Sequence, residues 1–224
     1  MSSYELKPIA HIKTPFTERF GTPRQPGLVT SATGRIVFEP DFAAPGYCRG
    51  LEAFSHIWLT FIFDRTEREG PRMLVRPPRL GGNDKVGVFA SRSPYRPNAL
   101  GLTAVELVAV GEGELLVSGV DLTDGTPILD IRPYISYTDA VPAARCGYAA
   151  EAPEPLGFDV SECRSFWDQL DADAQDIISQ TLTHDPAPAF HPDGRVYRLE
   201  LRSVALAWKR SEGVIHLLEC RRMP

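Results

Sequence analysis

The stretch VGVFASRSPYRPNALGLTAVELVAVGEGELLVSGVDLTDGTPILDIRPY, residues 86–134, decides the fold. Short apolar runs rich in β-branched residues alternate with turns of Gly, Pro, Asn and Asp. This pattern predicts strands at 86–90, 102–110, 114–120 and 128–135, with GEG at 111–113 as a hairpin turn. No helical period separates the strands, so a doubly wound parallel sheet is excluded. GEGELL at 111–116 lacks a third glycine and a following helix, so it is not a dinucleotide fingerprint.

Working outward, YELKPIAHIK (4–13), RIVFE (35–39) and the apolar run His56 to Phe63 read as further strands. Residues 14–34 are rich in Pro, Gly and Thr and read as a long ordered loop. Pro71, Pro77 and Pro78 exclude regular helix or central strand from 70–84. Strands at this spacing predict a mainly β chain, with a closed or nearly closed β-barrel over residues 1–140. Residues 141–160, rich in Ala, Pro and Glu, read as a linker. Residues 161–224 read as a small α+β domain docked on the barrel. Its amphipathic helix carries Phe166, Trp167, Leu170, Ala174, Ile177, Ile178 and Leu182 on one face, with Ser165-x-x-Asp168 as a capping box. Pro186 and Pro188 stop it, and a hairpin follows around Ser211–Gly213.

The 224 residues include 20 Pro and 18 Gly, which suits turns more than long helices. A hydrophobic share of 43% excludes a disordered chain. No apolar run is long enough to cross a bilayer, and the N-terminus has no signal-peptide pattern. Cys48, Cys146, Cys163 and Cys220 form no C-x-x-C pair, and the five histidines form no H-E-x-x-H, so no metal site is expected. His56 reads as a core histidine, and His184 and His191 as exposed ones. Reduced, structural thiols imply a cytoplasmic protein. No G-x-S-x-G elbow and no P-loop is present.

The net charge of −5 speaks against a nucleic-acid partner, but it is an average. Residues 65–96 hold eight basic side chains against three acidic ones, and seven of the eight are Arg. Residues 97–131 hold six acids and no Lys or Arg. An Arg-rich stretch suits bidentate contact with phosphate or carboxylate. Four polar loops stand out: Thr22–Gly27, Arg76–Asn83, Ser91–Asn98 and Asp121–Pro127. Their prolines pre-order the backbone and lower the entropy cost of binding. From these residues alone, two readings stay open: a binding site for an anionic ligand, and solvated loops whose prolines and glycines serve only the turns.

The segments PRQPGLV (23–29), RGLEAFSHIWLTFIF (49–63), VRPPRLGG (75–82), GVFASRSPYRPNALG (87–101) and VDLTDGTPILDIRPY (120–134) resemble the signature of the TsaA/TrmO-type family. These are S-adenosylmethionine-dependent tRNA methyltransferases built on a β-barrel. The resemblance covers residues 4–135 and continues into the C-terminal part. Ala99 departs from it, standing where the family has proline.

The resemblance implies N6-methylation of threonylcarbamoyladenosine next to the anticodon, mainly in a threonine tRNA. It also implies a homodimer with the site near the subunit interface and the tRNA anticodon loop as partner. By position, S-adenosylmethionine meets Pro23, Arg24, Gln25, Asp64, Arg65, Arg92, Leu102, Leu122, Thr123, Asp124, Gly125 and Thr126. Arg24 or Arg92 would grip its carboxylate, Asp124 its hydroxyls or amino group, and Leu102 the adenine face. Asn98, Asp124 and Tyr134 are the candidates for catalysis, with Asp124 as a possible general base. Arg76, Arg79, Tyr95 and Arg96 are the candidates for RNA contact, Tyr95 by stacking. Asp124-Gly125 also suits a plain turn, and Leu102 a plain core position.

Overall fold

Alternation decides which side chains fill the barrel. Every second residue of a strand points inward, and most of those positions here are aliphatic or aromatic, with Gly34, Gly101 and Thr103 among the rest. The structure is a computed structural model that describes residues 4–81, 83–188 and 190–223. The first strands are β1 (Ala10–Lys13), β2 (Thr33–Phe38) and β3 (His56–Ile62). A two-residue ribbon follows, β4 (Leu74–Val75) with β5 (Val86–Gly87). Then come β6 (Leu100–Val110), β7 (Glu114–Ser118) and β8 (Pro127–Pro133). Strands β1, β2, β7, β6, β3 and β8 pair in that order, all antiparallel, and β8 returns to β1 to close the barrel.

The register puts Ile12 opposite Ile36, Leu107 opposite Val117, and Leu59 opposite both Thr103 and Ile131. Ile12, Ile36, Ile57, Leu59, Leu115, Val117 and Ile128 are fully buried in this interior. Each such side chain contributes about 1.5–3 kcal/mol relative to exposure. Gly101 is required at its place. A Cβ there would lie 2.2 Å from Phe61 Cζ, inside the ring's van der Waals envelope.

A short helix α1 (Ser136–Asp139) leaves the barrel, and its Asp139 accepts from Trp58 Nε1 at 2.9 Å. The rest of the chain holds β9 (Gly157–Asp159), α2 (Arg164–Trp167), α3 (Ala172–Thr183), β10 (Val196–Leu201), β11 (Val204–Ser211) and β12 (Val214–Arg222). These strands form one sheet in the order β10, β11, β12, β9, with β9 parallel to β12. The segment expected to be a linker therefore supplies a strand of the C-terminal sheet. The expected single helix is two. Asp171 breaks it, its carboxylate capping α3 through the Ala174 N–H at 2.7 Å, so the capping box at Ser165–Asp168 is not the cap.

The two sheets share a hydrophobic core. Phe20, in the β1–β2 loop, stacks on Trp208 of β11 with ring centroids 5.8 Å apart. Thr30 and Ser31 of the same loop donate to Gln180 of α3. The expected strand 86–90 is only Val86–Gly87, followed by a single 3-10 turn. His56 is exposed at the edge of β3, bonded to Ser55, and not a core residue. His184 and His191 are half-buried, and His191 meets the Tyr197 hydroxyl at 2.8 Å.

Candidate active site

In a closed antiparallel barrel, alternate connections gather at one end. Here that end receives the β1–β2 loop (14–32), the β3–β6 loop (63–99) and the β7–β8 loop (119–126). Nearly every residue expected to meet the methyl donor falls in these three loops. Leu102 is close by, near the start of β6.

The loops are tied to one another by hydrogen bonds. Arg65 donates from Nη2 to the Asp124 carbonyl at 2.7 Å and from Nη1 to the Thr17 carbonyl at 3.2 Å. One guanidinium thus joins all three loops. Arg92 Nη1 donates to Gln25 Oε1 at 2.5 Å, joining the first two again. The Asp124 N–H donates to the Phe16 carbonyl at 2.7 Å, and Asp124 Oδ1 accepts from the Thr14 N–H at 3.0 Å. Gly125 turns the chain at φ 81, with nothing within 4 Å of where a Cβ would be. A side chain there would be strained by the backbone, while the open space admits close approach of a ligand.

The expected contact residues divide by what remains free. Leu122 and Thr126 are buried, and the Thr126 hydroxyl is held by Thr123, so this turn offers backbone more than side chains. Arg24 Nη2 donates to the carbonyls of Pro186 and Ala187, at 3.3 and 2.7 Å, which docks the C-terminal part. Its guanidinium is engaged there, whereas that of Arg92 is held only by the Gln25 side chain. Pro23 and Gln25 are half-buried, and Asp64 is exposed. Leu102 is 60% exposed and so is not a core residue. An apolar side chain held in water beside this cluster suits an adenine face. Asn98 is exposed at the turn that Ala99 closes with φ 50, a value proline's ring forbids.

Tyr134 is not brought to this cluster. It follows β8, at the opposite end of the barrel, where its ring lies 5.6 Å from that of Trp58. Seven strand residues separate it from the β7–β8 loop, roughly 23 Å at about 3.3 Å each. Within one chain Tyr134 and Asp124 do not address the same atom.

The arginine-rich stretch is partly spent on the protein itself. Tyr95 is covered on one face by Arg72, whose Cζ is 3.7 Å from the ring centroid. The Tyr95 hydroxyl and Arg19 both hold Glu69, and hydrogen bonds from Arg19 and Tyr95 keep that carboxylate below its usual range. Arg96 donates to the carbonyls of Val88 and Ser91, and Arg79 to that of Glu151. Arg76 is exposed and makes no hydrogen bond among the described residues. Sequence reasoning missed Phe89, which is 77% exposed with Arg96 beside its ring. Its run VGVFA reads as a strand, and the 3-10 turn Val88–Ala90 leaves the ring exposed.

Sequence reasoning also missed Asp121. Thr103 Oγ1 donates to its Oδ1 at 2.7 Å. Burial pushes the Asp121 carboxyl up to about 6, opposed by the Thr103 bond and the charge of Arg92. Among the described residues no group of three or more His, Cys, Asp or Glu is placed to hold a metal ion, and no helix is long and apolar enough to cross a membrane.

The donor set fits S-adenosylmethionine: a guanidinium for the carboxylate, an exposed leucine for the adenine and an open glycine turn. A family model for the tRNA-methyltransferase O N-terminal domain matches residues 11–140. A tRNA (adenine(37)-N6)-methyltransferase of Escherichia coli is 37% identical over 226 residues, spanning 93% of this chain and 94% of its own. A Pseudomonas aeruginosa relative, 40% identical over 92% of each chain, is named for S-adenosylmethionine-dependent methyl transfer. The crystal structure of TrmO from P. aeruginosa matches with a TM-score of 0.81 at 34% identity, over 99% of this chain and 98% of that one. The chain belongs to the tRNA-methyltransferase O family.

Proposed function

We propose that this enzyme methylates N6 of threonylcarbamoyladenosine next to the anticodon, mainly in a threonine tRNA. At the coarser level it is an S-adenosylmethionine-dependent tRNA (adenine-N6)-methyltransferase. The observation that carries the reading is the gathering of three mutually bonded loops at one barrel end, with Arg92 held by Gln25 and with Leu102 and Gly125 open to a ligand.

S-adenosylmethionine supplies an electrophilic methyl group when bound. The protein's task is to align that methyl group with N6 and to exclude water. Arg92 holds the donor's carboxylate by charge-assisted bonds, with Gln25 fixing the guanidinium. Leu102 covers the adenine. Arg65 keeps the three loops in one arrangement, so the site is built before ligand arrives. Asn98 faces the incoming base. Arg76 and Phe89 take the anticodon loop, the arginine by phosphate contact and the phenylalanine by stacking.

The reading includes a homodimer in the cytoplasm. The test is incubation with labelled S-adenosylmethionine and bulk tRNA from a strain lacking the enzyme, followed by mass spectrometry of the nucleosides. Methylated threonylcarbamoyladenosine is expected. Donor binding with no label in any nucleoside would favour a small-molecule substrate, and no donor binding would favour a non-catalytic RNA module.

A further inference from the structure

Methyl transfer to the N–H nitrogen of a carbamoylated adenine leaves one proton too many on nitrogen, and the residues assigned so far give it no destination. Asp124 serves the crossing of two loops: its Oδ1 accepts from the Thr14 N–H at 3.0 Å and its own N–H donates to the Phe16 carbonyl at 2.7 Å. Asp64 is exposed on the outside of the β3–β6 loop. Asp121 is different in position. It opens the β7–β8 loop at the same barrel end, half-buried, with Oδ1 held by the Thr103 hydroxyl at 2.7 Å. The carboxylate is met by Thr103 and by its own backbone N–H, and among the described residues no other side chain bonds Oδ2. Thr103 follows Leu102 directly, so the leucine beside the expected adenine and the threonine that orients Asp121 are neighbours on β6, pointing to opposite faces.

We propose that Asp121 is the proton acceptor of methyl transfer, taking the proton that the N6 nitrogen must lose. The inference rests on the function proposed above. In the step, the nitrogen lone pair forms the bond to the methyl carbon, and the C–S pair stays with sulfur, which becomes a neutral thioether. The N6–H proton passes to Asp121 Oδ2 and then to water. No oxidant, reductant or metal enters the balance.

The surroundings suit a base that works near neutrality. Burial raises the proton affinity of Asp121, to a pKa of about 6, while Thr103 from β6 and Arg92 from the β3–β6 loop restrain the rise. Arg92 is the charged group that acts on it from a neighbouring element, and Asp124 stands three residues on in its own loop. A carboxylate in this range accepts a proton more readily than an ordinary surface aspartate, and at neutral pH it is still mostly ionised.

The test has two readouts. The first is a carbon-13 NMR titration of the Asp121 carboxyl in the free protein, with a midpoint near 6 expected. The second is the single-turnover rate of methyl transfer to tRNA between pH 5 and 8. The wild-type rate is expected to rise with pH through that same midpoint. Asp121→Asn is expected to slow transfer by about 10²-fold or more and to abolish this limb, while still binding S-adenosylmethionine. Thr103→Val removes a bond that lowers the pKa, so it should move both the NMR midpoint and the rate limb upward together. This variant decides the matter if Asp121→Asn fails to fold. A rate limb that stays in place while the NMR midpoint moves would overturn the proposal, as would near-normal turnover in Asp121→Asn. A wild-type protein that binds the donor but labels no tRNA would instead defeat the function proposed above.

Discussion

Arg92 donates to Gln25 across two loops, at 2.5 Å, and its guanidinium, unlike those of Arg24 and Arg65, is not committed to a backbone carbonyl. Arg92→Ala should weaken S-adenosylmethionine binding by about 10–100-fold, the worth of a charge-assisted bond. Arg92→Lys should recover only part of this, because an ammonium lacks the planar fork. Isothermal titration on the free protein measures both, and near-normal affinity in the alanine variant would remove Arg92 from the site.

Gly101 tests the barrel itself. Gly101→Ala places a methyl group into the ring of Phe61 and should cost about 1–3 kcal/mol or more by overpacking. Urea unfolding should show the loss. Adding Phe61→Leu should recover part of it, since the ring is what the new methyl group strikes. Independent, additive effects would mean the two residues do not meet.

Asp121 should trade stability for reactivity. Its carboxyl binds a proton more tightly in the folded state than in the unfolded one. Between about pH 4 and 6 the folded state therefore holds more protons, and stability falls as pH rises through that window. Asp121→Asn carries no such penalty. It should melt above the wild type at pH 7.5 and lose that advantage below pH 4, while turning over far more slowly. Thermal melts across pH check the sign.

Contact with tRNA should divide between a charge and a ring. Arg76→Ala should reduce the slope of log affinity against log salt by roughly 0.7–0.9, the loss of one phosphate contact. Phe89→Ala should weaken tRNA binding by a stacking energy of about 1–3 kcal/mol and leave that slope unchanged. Neither should alter affinity for S-adenosylmethionine. Filter binding at several salt concentrations separates them.

Much of the barrel was legible because its inward positions alternate cleanly. Ile57, Leu59 and Phe61 on β3, and Leu115 and Val117 on β7, announce their strands. The hairpin at Gly111–Gly113 also stands where its glycines predict. Other turns carry no such sign. The β10–β11 connection is made by Arg202 and Ser203 at φ 51 and 59, a geometry that usually marks itself with Asn-Gly. The break before α3 was hidden because the apolar spacing runs straight across it, and only the capping carboxylate of Asp171 shows the new start. The site loops were visible as polar, proline-stiffened segments. Which of their side chains stay free was not visible, because that depends on contacts far apart in sequence, such as Arg24 with the 186–187 carbonyls. Asp121 escaped notice for the same reason: its partner Thr103 sits on another strand.

The β1–β2 loop answers to two neighbours. One flank carries Gln25 to Arg92, and the other presses Phe20 onto Trp208 and ties Thr30 and Ser31 to Gln180. Under the proposed function, mutational drift in the C-terminal sheet would therefore be felt as a change in the donor's site, even though no residue of that sheet is assigned to it. A shortened chain ending after the barrel would keep its register yet expose Phe20, and would need new apolar cover before its cofactor loop could hold the same shape.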